Sequence, residues 1–291
     1  MYINSKWRVL TVGDGDLSFS ASLLKYHQPQ QLTATIYDSK ACLQEKYDDN
    51  YYQQLQQENC QVITGFDVTD KNTWGTLNKH SFDVVIFQFP LLPAFSSQHA
   101  FKSQCEISSV NTLNRALLRQ YLLNCFKYFL NDNGAQLALI TSKNVKPYLQ
   151  WDIEKALNRN TDINYIGRFT FDISKFPGYK VRNVNRNKHV KSTQGMTYIY
   201  SLKSLASCKT MFDSDSTDYI TYNLKSRLPM HKTCQICRTG AFASERDKLM
   251  HLATKKHQQM FDYDQQWTNY LRQESSNQLI EVEKDEGNKN G

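Results

Sequence analysis

Residues 9–23 read Val-Leu-Thr-Val-Gly-Asp-Gly-Asp-Leu-Ser-Phe-Ser-Ala-Ser-Leu, and this stretch decides the fold of the chain. The apolar run Val9–Val12 predicts a strand, the two glycines break it, and Ser18 or Ser20 can cap a following helix. A strand, a glycine turn and a helix let the backbone approach a nucleotide-like ligand closely. The stretch therefore predicts a ligand site at the start of an α/β domain.

The rest of residues 1–202 repeats this alternation of strand and helix patterns. Because helical segments connect the strands, we expect an open, mostly parallel sheet with helices on both faces. Residues 113–129 carry apolar side chains at helical spacing, and residues 91–109 are predicted to be a long loop. Further strands are predicted at residues 32–37, 61–66, 82–90, 135–141, 165–173 and 196–202.

Polar or turn-forming residues follow four of these strands. They are the glycine turn, Asp38, Asp67 and the triplet Gln88-Phe89-Pro90. Ligands of open α/β sheets bind at the carboxyl ends of the strands, so we expect these residues to line one site. Taken singly, an aspartate more often caps a turn or a helix, and a strand commonly ends at proline.

The acidic residues of the glycine turn favour a cationic ligand. The turn lacks the third glycine of the dinucleotide pattern, and Asp14 and Asp16 would repel a diphosphate. They suit the amino or sulfonium group of S-adenosylmethionine. Asp38 can then accept hydrogen bonds from the ribose hydroxyls, and Asp67 can accept one from the adenine amine. A nicotinamide dehydrogenase is the weaker alternative.

The triplet at residues 88–90 is placed to meet a substrate. The Gln88 amide can hydrogen-bond the edge of a planar base, and the Phe89 ring can stack on the base. Gln88, Phe89, Pro90 and Asp16 are therefore our candidate catalytic residues. If the acceptor is an imide nitrogen, its proton also needs an acceptor, for which Asp16, Gln88 and His99 are unranked candidates.

Three segments resemble the signature elements of the large-subunit ribosomal RNA uridine-N3 methyltransferase-like family. They are residues 12–20, 87–90 and 176–179, and the resemblance covers residues 7–202. It implies a Rossmann-like, class I S-adenosylmethionine-dependent fold and activity on structured RNA such as ribosomal RNA. The residues that it implies are Gly13, Asp14, Gly15 and Asp16 at the cofactor, and Phe89 and Pro90 beside the target base.

The chain departs from that family's pattern at three positions on the substrate side. Gln88 stands where the family usually has Asn, and Leu91 and Val181 stand where it often has His. The resemblance therefore supports the cofactor better than the methylated atom. Two alternatives stay open: an inactive methyltransferase-like protein that binds RNA, and an enzyme of the same cofactor class with a small-molecule or protein substrate.

A small zinc-binding unit is predicted at residues 233–260, after a linker at residues 203–232. Its two cysteines and two histidines have the spacing of a ββα zinc finger, and Phe242 and Leu249 are expected to form its small core. Residues 261–291 are expected to form a helix and a polar tail that is disordered from Glu283 on. The predicted zinc ligands are Cys234, Cys237, His251 and His257.

Two segments favour contact with RNA. Residues 249–257 resemble matrin-type, double-stranded-RNA-binding zinc fingers, which share the wide histidine gap and the lysine pair. A finger that docks on its own domain or on a protein partner is the alternative. Residues 176–186 interleave aromatic and basic side chains, as an RNA-facing loop does, although an ordinary solvated loop has the same composition.

The composition bounds the remaining expectations. The net charge of +7 over 291 residues permits a nucleic-acid partner. We see no apolar run long enough for a membrane span and no room for a signal peptide before the first strand. Seven cysteines, odd in number and mostly scattered, favour a reducing compartment. We expect an intracellular monomer, cytoplasmic in a bacterium and nuclear or nucleolar in a eukaryote.

Overall fold

A computed structural model describes residues 3–47, 50–93, 97–182, 194–212, 220–222, 232–237 and 239–287. The chain divides into two compact units. The first unit comprises residues 1–94 and 116–223, and the second comprises residues 95–115 and 224–291. The domain borders expected at residues 202 and 232 stay a prediction.

The first unit is built on a sheet whose strands follow the sequence prediction. They are β1 (Arg8–Val12), β2 (Gln31–Thr35), β3 (Gln61–Ile63), β4 (Val84–Gln88), β5 (Leu137–Lys143), β6 (Asn164–Phe171), β7 (Gly195–Ser201) and β8 (Thr221–Tyr222). Their order in the sheet is β3-β2-β1-β4-β5-β7-β6-β8. Strands β1 to β5 pair in parallel, and β7 is antiparallel to both β5 and β6. The Rossmann-like sheet is thereby confirmed.

Helices cover both faces of this sheet. Alternate residues of β1 point to opposite sides, so that Val9 belongs to one apolar core and Leu10 to the other. Phe19 packs in the first core, and Tyr121 packs in the second. The helices in chain order are α1 (Ser18–His27), α2 (Lys40–Tyr47), α3 (Asn50–Gln57), α5 (Val110–Asn124), α6 (Ile153–Ala156) and α7 (Leu205–Lys209), while α4 (Gln98–Ile107) belongs to the second unit.

Two segments differ from the sequence prediction. The long loop expected at residues 91–109 contains α4, which begins at Ser97, where the serine hydroxyl accepts a hydrogen bond from Ala100 N at 3.0 Å. The expected linker contains α7 and β8, and β8 pairs with β6. Short polar segments of this kind form structure through packing and strand pairing, which local sequence patterns do not reveal.

The second unit contains the predicted ββα arrangement. Strands β9 (Thr233–Cys234) and β10 (Thr239–Gly240) form a hairpin, followed by α8 (Glu245–Leu252) and α9 (Lys255–Gly287). The side chain of Ser244 accepts a hydrogen bond from the N–H of Asp247, and the Asp247 carboxylate accepts one from the N–H of Ser244. This capping box fixes the start of α8.

Three expectations about this unit can be compared with the structure. Leu249 is 61% exposed, so it does not form a finger core with Phe242. The predicted last helix is present and buries Trp267 completely. It continues to Gly287, so the first residues of the tail that was expected to be disordered from Glu283 on are helical. Within the described residues, none of the helices is long and apolar enough to span a membrane.

Candidate active site and metal centre

The glycine turn after β1 is shaped for close approach. Gly13 has φ +62°, and a Cβ atom there would lie 2.9 Å from the ring of Phe87 on β4. A Cβ atom on Gly15 would lie 3.4 Å from Cβ of Arg182. The first glycine is thus needed for its backbone conformation and its contact, and the second lets residue 182 lie against the turn.

The start of α1 is capped by the two aspartates of the turn. The expected caps, Ser18 and Ser20, do not cap the helix with their side chains, because Leu17 occupies the capping position with φ 66°. The carboxylate of Asp16 instead accepts a hydrogen bond from Ser18 N at 3.1 Å, and that of Asp14 accepts one from Ser20 N at 2.6 Å. Both carboxylates are thereby held at the positive end of a helix.

These two carboxylates form a buried acidic pair. Asp14 is 5% exposed and Asp16 is 4% exposed. Burial, and then the charge of Asp16, raise the pKa of Asp14 to about 7, although its hydrogen bonds from Ser20 oppose the shift. The guanidinium of Arg182 supplies one positive charge, with Nε 2.7 Å from Asp16 Oδ2. A ligand cation would suit the second carboxylate.

Residues 176–182, which begin with the third signature segment at 176–179, pack directly on the first. Lys180 N donates a hydrogen bond to the Ser18 hydroxyl at 3.0 Å. The ring of Phe19 lies 5.0 Å from that of Phe176 and 5.1 Å from that of Tyr179, measured between centroids. The two segments therefore form one site. Residues 183–186 of the predicted RNA-facing loop lie outside the described residues.

The two outer aspartates follow β2 and β3 as expected, and both already have partners. Asp38 binds Lys46, whose Nζ lies 2.9 Å from each carboxylate oxygen. One carboxylate oxygen of Asp67 accepts from the backbone N–H and the hydroxyl of Thr69, at 2.8 and 2.7 Å. Asp67 thus does what the turn-capping alternative described, and its role toward adenine stays a prediction.

The Gln88-Phe89-Pro90 triplet ends β4 in an unusual local structure. Gln88 is 7% exposed, and among the described residues neither atom of its amide has a hydrogen-bond partner. Phe89 has φ 46°, a left-handed conformation that costs free energy for a residue with a Cβ atom. Its ring packs 5.5 Å from that of Phe171 and against Gly195, where a Cβ atom would lie 2.9 Å away. Polar capacity without a partner and strained backbone are typical of functional sites.

A pocket opens beside this triplet. Its cavity volume is about 10 Å³, within about 260 Å³ of space that includes open solvent. Sequence reasoning missed the contribution of β5, whose last residue, Lys143, lies in the wall. Burial lowers the pKa of Lys143, and Nζ lies 5.5 Å from the centroid of the Tyr148 ring. The pairing of β5 with β4 in the sheet brings Lys143 to the site. The lining residues are Phe89, Pro90, Leu91, Ser142, Lys143, Tyr148, Val181 and Arg182.

His99, the third candidate proton acceptor, is exposed on α4 of the second unit. The structure therefore gathers Asp16 and residues 88–90 within the first unit, and it assigns His99 to the other.

The predicted zinc ligands converge in the second unit. Their ligand atoms all lie within 4.8 Å of one another. Sγ of Cys234 and Sγ of Cys237 each lie 3.5 Å from Nδ1 of His257. Tetrahedral zinc with its usual bond lengths places a sulfur and a nitrogen ligand roughly 3.5 Å apart. His251 Nε2 is buried without a hydrogen-bond partner among the described residues, which is consistent with a metal-ligating nitrogen. The four residues therefore fit a zinc ion.

Comparison with known proteins identifies the family. Residues 10–183 match the model of the BMT5-like family, described as rRNA (uridine-N3-)-methyltransferases. The chain belongs to the BMT5-like family. This confirms the resemblance to that family.

Individual relatives of this BMT5-like chain are distant. The heavy metal-associated isoprenylated plant protein 41 of Arabidopsis thaliana is 28% identical over 189 residues, which cover 62% of this chain. The match covers only 33% of that relative's length. Spermidine synthase from Thermotoga maritima is 12% identical, with a TM-score of 0.41 and coverage of 77% of this chain and 61% of that one. The B. subtilis tRNA methyltransferase TrmK is 9% identical, with a TM-score of 0.37 and coverage of 74% and 68%.

Proposed function

We propose that this protein transfers the methyl group of S-adenosylmethionine to N3 of a uridine in ribosomal RNA. One observation carries the proposal: Arg182 lies against the acidic glycine turn and also lines the pocket beside Phe89 and Pro90. The expected cofactor site and the expected base pocket therefore share a wall. The uridine and its position on the base follow the family description.

The glycine turn would hold the cationic end of the cofactor. Asp14 and Asp16 offer negative charge in a buried setting, where a cation gains more electrostatic energy than it would in water. Asp38 would accept from the ribose hydroxyls and Asp67 from the adenine amine, in exchange for part of their present bonding. When bound, S-adenosylmethionine supplies a methyl carbon on a positively charged sulfur, and the protein positions the acceptor.

The residues around Phe89 would hold the base. A target uracil has to leave its stack to reach the pocket. The Gln88 amide, without a partner among the described residues, could donate to a uracil carbonyl, and the Phe89 ring could stack on the base. Gln88 replaces the asparagine usual in the family, and its longer side chain still supplies the same amide.

The finger would add affinity for the RNA. We propose that Cys234, Cys237, His251 and His257 bind zinc and that the finger contacts RNA phosphates rather than selecting the uridine. We further propose that the protein works as an intracellular monomer, in the cytoplasm of a bacterium or in the nucleus or nucleolus of a eukaryote.

Nucleoside mass spectrometry tests the proposed reaction. Ribosomal RNA from cells that lack the gene should lose 3-methyluridine, and the wild-type gene should restore it. Gly13→Ala should fail to restore it, because the added methyl group meets Phe87. Gly75→Ala is the matched control, since Gly75 also has a positive φ, +53°, but has open space around it.

The other outcomes separate the alternatives. An unchanged nucleoside profile would reject the proposed reaction. Calorimetry with purified protein would then distinguish an inactive RNA-binding protein, which binds no S-adenosylmethionine, from an enzyme with another substrate, which binds it.

A further inference from the structure

The proposed reaction needs a proton acceptor beside the base. Uracil N3 carries a proton that must leave when the methyl group arrives, and a well-placed base accelerates such a step about 10²–10⁴-fold. Of the candidates from the sequence, Asp16 is bound by Arg182, and Gln88 carries an amide, which is not a base. The proton acceptor is therefore to be sought among the other residues of the pocket.

Lys143 stands at the correct end of the sheet. Gln88 of β4 is in register with Thr141 of β5, and Phe89 N donates to Thr141 O at 2.8 Å. Lys143 is the residue of β5 two positions further on, beyond the last paired residue of β4. It shares the pocket wall with Phe89 and Pro90, beside which the base is expected.

Partial burial of Lys143 lowers the pKa of its ammonium group. Among the described residues, those that line the pocket include no carboxylate. Two titratable or charged side chains share the lining with Lys143: Tyr148, whose pKa is raised by burial, and Arg182, which stays cationic. Burial without an anionic partner makes an ammonium costly, which is how lysines become general bases.

We propose that the neutral Lys143 amine accepts the N3 proton of uracil during methyl transfer. The inference rests on the proposed function. The N3–H bond breaks toward Nζ, the electron pair left on N3 forms the bond to the methyl carbon, and the carbon–sulfur bond breaks with its electrons on sulfur. The positive charge lost from sulfur reappears on Lys143 as an ammonium, which then releases its proton to water.

Two substitutions separate a base from a mere positive charge. Lys143→Met removes the amine, and Lys143→Arg keeps the charge but cannot act as a base near neutral pH. Single-turnover methylation of ribosomal RNA by the full-length protein should slow at least about 100-fold in both variants. The wild-type rate should rise with pH as Lys143 loses its proton. The residual rates of the two variants should show no such rise. Lys146→Met, at an exposed position outside the pocket, should match the wild type.

Either of two results would overturn the proposal: an arginine variant with near wild-type rates, or a methionine variant that keeps the wild-type pH profile. S-adenosylmethionine affinity, measured by calorimetry, should stay within twofold of the wild type in each variant. If the wild type makes no 3-methyluridine, the proposed function fails, and the role of Lys143 fails with it.

A second measurement does not depend on activity or on a stable variant. Competitive acetylation of the wild-type protein, followed by peptide mass spectrometry, reports the pH at which each lysine becomes a neutral amine. The midpoint for Lys143 should lie below the value of about 10.4 that an unperturbed lysine side chain shows. A midpoint equal to or above that value would contradict the proposed base.

Discussion

Arg182 Nε lies 2.7 Å from Asp16 Oδ2, so a residue three positions beyond the third signature segment supplies a positive charge to the first. The guanidinium carbon also lies 5.0 Å from the centroid of the Tyr47 ring. A ligand cation that enters the glycine turn therefore meets a carboxylate that another cation already binds. Arg182 and the cofactor are expected to compete for the same charge.

Removing Arg182 should tighten cofactor binding. We expect Arg182→Gln to raise the affinity for S-adenosylmethionine roughly threefold to tenfold, because a partly buried ion pair no longer has to be weakened. Isothermal titration calorimetry measures the change. Lys180→Gln is the matched control, since it removes one charge from an exposed position of the same segment. Weaker binding in Arg182→Gln alone would show that Arg182 holds the cofactor instead of competing with it.

Cofactor affinity should depend on the protonation of Asp14. Its pKa is about 7 in the free protein, and a bound cation favours the ionised form. Affinity for S-adenosylmethionine should therefore rise as pH increases from 5.5 to 7, by at most about tenfold per pH unit, and level off above. Asp14→Asn should flatten this dependence. A pH-independent wild-type affinity would exclude proton release from Asp14.

The same group should also make folding stability depend on pH. The pKa of Asp14 is raised from 3.8 to about 7 on folding, so between these values the folded protein holds a proton that the unfolded chain releases. The contribution of Asp14 to the free energy of unfolding should therefore fall as pH rises from about 4 to about 7, and then stay constant. Urea unfolding of the wild type and Asp14→Asn across this range measures the difference. Parallel curves for the two proteins would reject it.

Zinc should be present in the finger. The purified wild-type protein should contain one zinc ion per chain, and Cys234→Ser should lose it, since removing one of four ligands leaves an incomplete tetrahedron. Atomic emission of the purified proteins gives the metal content. Cys42→Ser controls for the loss of a thiol outside the cluster. If the wild-type protein, prepared without chelator, contains no metal, the predicted zinc site is rejected.

A cluster of lysines in the first unit should bind RNA phosphates. The Nζ atoms of Lys71, Lys79 and Lys127 lie 4.6, 5.8 and 5.4 Å from the centroid of the Tyr128 ring. Where the chain is described, none of these exposed lysines forms an ion pair, so their charges add up in one place.

Substituting Lys71, Lys79 and Lys127 together by Gln should weaken the binding of RNA whatever its nucleotide sequence. It should also reduce the slope of log affinity against log salt by about 0.7 to 0.9 for each phosphate that the lysines no longer neutralise. Filter binding at several salt concentrations measures both. Lys6, Lys25 and Lys155, exposed and scattered, give a control triple of equal charge. Equal reductions of affinity in the two triples would show that only net charge matters.

The sequence reveals those parts of the site that lie next to a strand. Gly13, Asp16 and Gln88 could be assigned because each follows an apolar run that defines a strand end. The contact between Asp16 and Arg182 could not, since the two residues are 166 positions apart and meet only through packing of Phe176 and Tyr179 on Phe19.

Local polarity also misled the sequence-based prediction in places. Leu249 looked like a core residue because it is apolar, yet it is exposed, since a unit with four clustered metal-ligand residues needs little apolar core. Lys143 lies two residues beyond the strand that the sequence predicts at residues 135–141, and it was not among the candidate site residues. Its burial depends on Tyr148 and on the turn after β4, which no local pattern connects to it.

The acidic pair at the glycine turn also bears on how the protein would release its product. Methyl transfer converts the sulfonium of S-adenosylmethionine into an uncharged thioether. The product therefore brings one positive charge less to Asp14 and Asp16 than S-adenosylmethionine does. Asp14 would regain a proton more readily, and Arg182 would face less competition for Asp16. The product should therefore leave the site more readily than S-adenosylmethionine does.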